Sequence, residues 1–557
     1  MKCKMIKKVI SSVLVGTLTV STLVACGSVD ETITSSSPQE KESIASSSSS
    51  AVSESATVEE KQTVEVTYPI DTDVTLTVAF VTNSTVTANY ADFTETPFWN
   101  EIQEVTGVKL EAMELTSDAF KLMLTSGELP DLLITDPYNY SGGPEMAIED
   151  QVVAPITDYM EYAPDLMAAL QLDEDYRKAT TTSEGEIIGA PFIRGDEYLL
   201  TSVGMIIRAD WLEELNMDIP ETPDQMYEVL RAFKEEMGAE VPLSLNSNLV
   251  KNWMLKGQIT GGFGLVSAHT YQVDGVVHYG FAEKELKDVY TWLNKLYTEG
   301  LFDPDFATIG STEVKSNIQS GRSGLTAGSC GGNLGTWLRE MWTTDETYDL
   351  AGVPSLVSSA GETPLFCPAE NKVPGTMMCM TTACEYPEIA VQLMNYGYTE
   401  EGAMLFNYGI EGETYTIVDG YPTYTDWVMN NPDGWSMAQA LAGYCRSWNT
   451  GPFVQQKEYM EQFGSLPQQR SALEAWTDNT VTDYMIPKLA INTEDSAEYS
   501  KLSSEIGTYV DEMMIAYITG AKSLDTFEAE YLATLESLGV DRMIEILQNA
   551  LDAYNAR

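Results

Sequence analysis

Between Val74 and Thr135 the apolar pattern switches period four times, and no other stretch of the 557 residues restricts the fold as tightly. Val74–Val81 (VTLTVAFV) alternates β-branched residues and reads as a strand. Pro97–Gly107 (PFWNEIQEVTG) reads as a helix, with Pro near its start and Gly at its end. Val108–Leu115 is a second strand, and Asp118–Gly127 (DAFKLMLTSG) a helix with an Asp cap and a Gly stop. Leu129–Thr135 (LPDLLIT) is a third, apolar strand. The β-α-β-α-β order predicts an α/β fold, a mainly parallel sheet with helices on its faces. A second unit begins at Thr201–Pro220 (TSVGMIIRADWLEELNMDIP). The apolar run Val203–Ile207 suits a buried strand. Asp210 then stands at an expected N-cap with Glu213 three residues on, and Pro220 and Pro223 stop the short helix. Such strand-to-helix turns line ligand clefts in open α/β sheets.

The first 25 residues predict an export signal. Lys2, Lys4, Lys7 and Lys8 precede an apolar stretch from Val9 to Val24, too short and too Thr/Ser-interrupted for a comfortable membrane span. It ends Leu23-Val24-Ala25-Cys26-Gly27, which resembles the bacterial lipoprotein lipobox. That resemblance implies cleavage before Cys26 and a diacylglyceryl thioether on its sulfur. Residues 26–67 are Ser, Glu and Thr with few large apolar side chains. They cannot bury enough surface to offset their ordering entropy and predict a disordered tether.

The formal charge is -53, and losing the four leader lysines takes it four further, to -57. Such a surface repels nucleic acid and anionic membranes, so neither is expected as a partner. Cys330, Cys367, Cys379, Cys384 and Cys445 are an odd set, a poor disulfide framework. Cys330, in Gly328-Ser329-Cys330-Gly331-Gly332, reads as a small apolar filler rather than a nucleophile. His269 and His278 are too few for a His-rich metal site, and no Gly-x-Ser-x-Gly elbow accompanies them. No metal and no cofactor are expected.

Several segments, in order, resemble one family. Ser126-Gly127-Glu128-Leu129-Pro130-Asp131 resembles the (A/S)-G-x-x-P-D element of bacterial extracellular solute-binding proteins. Glu184–Pro191 (EGEIIGAP) is similar to their "dGkiyglP" segment, and Ile207–Leu212 (IRADWL) to "iRkDWL". Trp292–Phe306 (WLNKLYTEGLFDPDF) resembles "kLYxEGLiDPeF". Tyr408–Tyr415 and the tail Tyr517–Tyr554 resemble the large oligosaccharide-binding lipoproteins of Firmicutes. The resemblance covers nearly all of Thr75 to Tyr554. It implies a periplasmic-binding-protein-like type II fold, two α/β lobes around a ligand cleft with several hinge crossings. By analogy the crossings fall near Pro191–Tyr198, Thr308–Gly321 and Pro374–Thr381. Lobe one is then 68–193 plus 321–374. Lobe two is 194–320 plus 375–557, with the C-terminal helices packed on it.

An oligosaccharide offers hydroxyls and apolar C–H faces, so its site needs aromatic faces and planar polar groups. Where the family places its cleft, the candidates are Asp136, Tyr138 and Tyr140 after the third strand, Arg194 at the first crossing, and Asn252 and Trp253 after a short strand Val241–Leu245. Asn333 and Trp337 follow the strand-like Ser323–Ala327, and Trp448 sits in a polar loop. Trp99, Trp211 and Trp292 lie within predicted helices and are expected in the core. Arg208 and Asp210 are open between a local ion pair and ligand contact. Some relatives carry a calcium loop before the "dGkiyglP" segment. Here Asp173, Glu174 and Asp175 are followed by Arg177 and Lys178, without the required oxygen ladder, so no calcium is expected. The leading expectation is a lipid-anchored, monomeric substrate-binding protein, not an enzyme, that passes an oligosaccharide to the permease of an ABC importer. A secreted glycan-processing enzyme and a peptide- or lipid-binding lipoprotein of the same fold stay open. Arg194 and Arg446 favour an acidic sugar, whereas the negative field favours a neutral one.

Overall fold

The computed structural model describes residues 64–81, 83–446, 451–477 and 481–557. The leader, Cys26, most of the tether and Trp448 lie outside these residues. The first three strands form where the pattern places them: β1 (Thr75–Val81), β2 (Lys109–Leu115) and β3 (Leu132–Thr135). β1 pairs in parallel with both neighbours. The helix between β1 and β2 (Pro97–Thr106) buries Phe98, Trp99 and Ile102. Thr96 caps it and Gly107 ends it at φ 75°, in the left-handed region that Gly enters at least cost. The helix Ser117–Ser126 differs from expectation at its start. Thr116, not Asp118, accepts from the Ala119 N–H (3.3 Å) and is the cap.

The first sheet is completed by β4 (Val153–Ala154), β5 (Ala190–Arg194), β11 (Met377–Thr381) and β14 (Phe453–Gln455). Its order is β14-β5-β11-β3-β1-β2, with β4 paired to β11. Only β11 runs against the others. The carboxyl ends of β1, β2, β3, β5 and β14 therefore share one edge, the edge at which open α/β sheets bind ligands.

The second sheet has β6 (Val203–Arg208) between β9 (Leu325–Ser329) and β10 (Leu350–Val353), all antiparallel. Two separate hairpins are β7 (Thr270–Val273) with β8 (Val276–Tyr279) and β12 (Tyr415–Val418) with β13 (Tyr421–Tyr424). Alternation along β6 splits its side chains between two cores. Met205 and Ile207 join the core built on the C-terminal helices, and Ile206 joins the one around Trp476 and Trp337. This is the two-residue period at work. The long helix Thr493–Ile518 and the last helix Val540–Ala556 pack into the first of these cores.

Strand pairing redistributes the lobes. Residues 325–329 and 350–353, expected in lobe one, pair with β6 in the second sheet. Residues 377–381 and 453–455, expected in lobe two, complete the first sheet. The expected crossing near Thr308–Gly321 is the helix Ser311–Gln319, which buries Val314 and Ile318. The chain passes between the sheets at 195–202, at 354–376 and after Gln455. The stretch Val241–Leu245 is not a strand. Leu243 alone bridges Phe302 and Leu325.

The turn that organises the second sheet also departs in detail. Arg208 holds the N-cap position of the helix Ala209–Leu215 and no side chain caps it. Asp210, in the first turn, accepts from Arg208 Nε (2.8 Å) and Nη2 (2.6 Å). The guanidinium is stacked between Trp211 and Tyr348, 4.4 and 4.3 Å from the ring centres. Arg208 and Asp210 thus form a local ion pair. Trp99, Trp211 and Trp292 are buried.

Candidate functional site

A groove of about 770 Å³ opens between the two sheets, within the range that holds small-molecule ligands. One wall is the turn after β3, from Tyr138 to Gly143. The other is the end of the helix Ser247–Leu255 with Lys256, His269 and Thr270, and the serine face of the long helix. Residues 366–371 and 485–491 form the floor.

The turn after β3 is fixed by its own side chains. Asp136 accepts from the Tyr138 N–H (3.0 Å) and from Asn139 Nδ2 (3.1 Å), an Asx-type turn. Lys488 Nζ lies 3.2 Å from the same carboxylate, and 5.6 Å from the Tyr138 ring centre. Tyr138 Oη donates to the Ala179 carbonyl (2.9 Å) and Tyr140 Oη to Asp150 (2.9 Å). Burial, with the hydrogen bond to Asp150, pushes the Tyr140 phenol up to about 12. Both rings are locked at their hydroxyl ends and half-buried, leaving the other faces to the groove. Ser141 Oγ and Ser500 Oγ meet at 3.4 Å, joining this wall to the long helix.

Beneath the groove, Arg194 ties three passing segments together. Its Nη1 donates to the Leu199 carbonyl (2.9 Å) and to Gln455 Oε1 (3.2 Å), and its Nη2 to the Glu370 carboxylate. Burial pushes the Glu370 carboxyl up. Arg194 and Lys256 outweigh that and hold it below the usual carboxylate range. Lys256 Nζ stands 3.6 Å from the same carboxylate.

The structure thus brings Tyr138 and Tyr140 to the groove, turns Asp136 to the cavity against β1, where it holds the turn and pairs with Lys488, and sets Arg194 below the groove. It removes others. Trp253 and Trp337 are 2% and 3% exposed and pack in the two cores of the second sheet. Each lies on the inner face of an amphipathic helix, where an aromatic is drawn in by its area. Asn252, one residue earlier, points to solvent and is not among the groove's lining residues. Asn333 accepts from the Ser329 N–H (2.8 Å) and Oγ (3.0 Å), closing the turn after β9. Trp448 lies outside the described residues. Missed from sequence were Lys256, Asn371, Lys488 and the face Tyr499, Ser500, Ser503 and Ser504. The clue to Lys488 was the long Pro-marked connection before Thr493, since connections that long usually carry function.

Asp173 and Asp175, weighed above as calcium ligands, lie 2.7 and 3.4 Å from Lys372 Nζ, and Asp173 caps the short helix Glu174–Lys178. Among the described residues no group of three His, Cys, Asp or Glu is placed to hold a metal ion. Cys330 is buried, and burial pushes its thiol up to about 12, so it stays protonated and inert. A second cavity of about 440 Å³ lies against β1, lined by Phe80, Phe93, Phe98 and Trp99, with Arg446 over two of those rings. Its described lining is mainly apolar, with Asn83, Thr135, Asp136, Thr376 and Arg446 as the polar residues.

No family model matches the chain. It is 26% identical to Lipoprotein LipO of Bacillus subtilis over 329 residues, 57% of this chain and 62% of that one. It is 22% identical to the fructooligosaccharide ABC transporter substrate-binding protein FusA of Streptococcus pneumoniae, over 88% of this chain and 92% of that one. The solved structure of the alginate-binding protein AlgQ2 without calcium ion superposes with a TM-score of 0.72 at 21% identity, covering 88% of this chain and all of that one. The fold is the periplasmic-binding-protein-like type II fold. In sequence and in fold the chain is similar to the extracellular solute-binding proteins of ABC transporters, as its ordered motifs imply.

Proposed function

We propose that this chain is an extracellular receptor, anchored through Cys26, that closes its two lobes on an oligosaccharide and delivers it to the permease of an ABC importer. The observation that carries the reading is the groove itself. It lies between two sheets joined by repeated passages of the chain, and its walls offer half-buried tyrosines beside serine, asparagine and lysine side chains. Tyrosine faces suit the apolar C–H faces of sugars, and the amide, hydroxyl and ammonium groups suit their hydroxyls. Closure follows from differential affinity: a ligand touching both walls favours the state in which both are near. The names of FusA and AlgQ2 support a carbohydrate ligand. The transport partner and the anchor rest on the resemblance and on the lipobox.

Catalysis of glycoside cleavage would require two carboxylates flanking the bond. Among the described residues lining the groove there are none, which favours binding without cleavage. The reading is tested by calorimetry of the full chain against neutral and acidic oligosaccharides, with the sugars analysed afterwards. One-to-one binding with intact sugar supports it, whereas cleaved products overturn it. Release of the protein from cells on Cys26→Ala tests the anchor.

A further inference from the structure

Acidic residues number 84 of 557, yet no Asp or Glu is among the described residues lining the 770 Å³ groove, while Lys256 and Lys488 are. From this we infer that the groove selects oligosaccharides carrying carboxylates, that is, uronate-bearing chains. The inference deepens the oligosaccharide reading above and rests on it.

The two lysines are available for exchange. Their side chains keep 27% and 28% of their exposure, and each is paired with a carboxylate outside the groove's described lining: Lys256 at 3.6 Å from Glu370, which lines an adjoining cavity, and Lys488 at 3.2 Å from Asp136, which lines the cavity against β1. Both carboxylates have other donors. Asp136 keeps the Tyr138 N–H and Asn139 amide, and Glu370 keeps Arg194. A ligand carboxylate can therefore take the ammonium group without leaving a buried acid unpaired, which is the costly outcome. Among the described residues lining the groove neither lysine meets an Asp or Glu, while Asp175 and Glu370 line the adjoining cavity that Lys488 also faces.

The global charge does not decide against this. Surface charges are screened beyond about 8–10 Å at physiological salt, whereas groups within about 4 Å of a bound carboxylate act at close range. A neutral sugar would leave the two ammonium groups on their present partners and gain less from them. Discrimination thus follows from differential pairing.

The test is calorimetry of the full chain with oligogalacturonate, oligomannuronate and oligoglucuronate, each against its methyl ester, which keeps the skeleton and removes the charge. At least one acid should bind about tenfold or more tighter than its ester, with the advantage shrinking as salt rises. Lys488→Met and Lys256→Met should each collapse that ratio, and Lys488→Arg should hold it. Equal affinity for acid and ester, or a ratio that survives both Met variants, overturns the inference while leaving sugar binding in place. Binding of neutral oligosaccharides alone does the same. Silence towards every sugar overturns the underlying reading as well.

Discussion

Glu370→Gln tests whether the passage between the sheets is held by charge. Arg194 is 6% exposed and sits where residues 194–199, 370 and 455 converge. Its Nε has no hydrogen-bond partner among the described residues, so Nη1 and Nη2 carry its satisfaction. Breaking a fully buried pair by removing one partner costs roughly 3–5 kcal/mol. The Glu370 side chain is 31% exposed, and a Gln oxygen still accepts from the guanidinium. Both features reduce the cost, to about 2–3 kcal/mol. Urea unfolding of the full chain, followed by tryptophan fluorescence, reads it directly. The sign of the pH dependence comes from the depressed carboxyl. The folded state binds that proton less readily than the unfolded state, so the stabilisation is complete above the unfolded value of about 4.3 and is lost as pH falls through the lower folded value. The gap between wild type and variant should stay level from about pH 7 to about pH 5 and shrink only below that. A cost under about 0.5 kcal/mol, the size of an ordinary surface change, refutes the argument. So does a gap that already closes within that level window.

Gly204 lies in β6 beneath Trp476, and a Cβ there would stand 2.3 Å from the indole ring. Gly204→Ala should therefore cost about 1–3 kcal/mol by overpacking, read by urea unfolding, despite Ala being the better strand residue. Trp337→Ala should lower stability by about 3–5 kcal/mol with no sugar present; a variant of normal stability that has lost only ligand affinity would return this residue to the site. Cys330 should resist a thiol reagent in the native state and react once unfolded, because it is buried and its thiol is pushed up to about 12. Rapid native labelling that mass spectrometry maps to this residue contradicts that.

Local elements were legible because their causes are local. Pro97 at a helix start and Gly107 at its end act through φ alone, and both perform those roles. Cap identity was less legible. Thr116 and Asp118 both satisfy the composition rule, and only the backbone turn decides that Thr116 reaches the Ala119 N–H. The same limit moved Asp210 from cap to ion-pair partner, because Arg208 two residues away offers a bidentate fork that a cap geometry cannot use. Two tryptophan candidates moved to the core for another reason. Trp253 and Trp337 sit beside polar residues in the sequence, but a helix turns adjacent positions about 100° apart. Asn252 faces water while Trp253 faces the core.

The assignment of segments to sheets was illegible for a reason that bears on function. A strand such as Met377–Thr381 is apolar on both faces and fits either sheet. Only its antiparallel pairing with Leu132–Thr135 and Pro191 shows which one it completes. That pairing draws residues 366–376 along the edge where β3 and β5 end, and so brings Glu370 beside Arg194 and Asn371 into the groove floor. Residues far apart in sequence meet there because one strand runs backwards through a parallel sheet. The same insertion explains how a chain of charge -53 presents a groove whose described lining is free of carboxylates. Asp136 and Glu370 are engaged by Asn139 and Arg194 and line neighbouring cavities instead, leaving Lys256 and Lys488 in the groove's own lining. Net charge describes the whole exterior. What the groove presents is set by which carboxylates the passages between the sheets have already engaged.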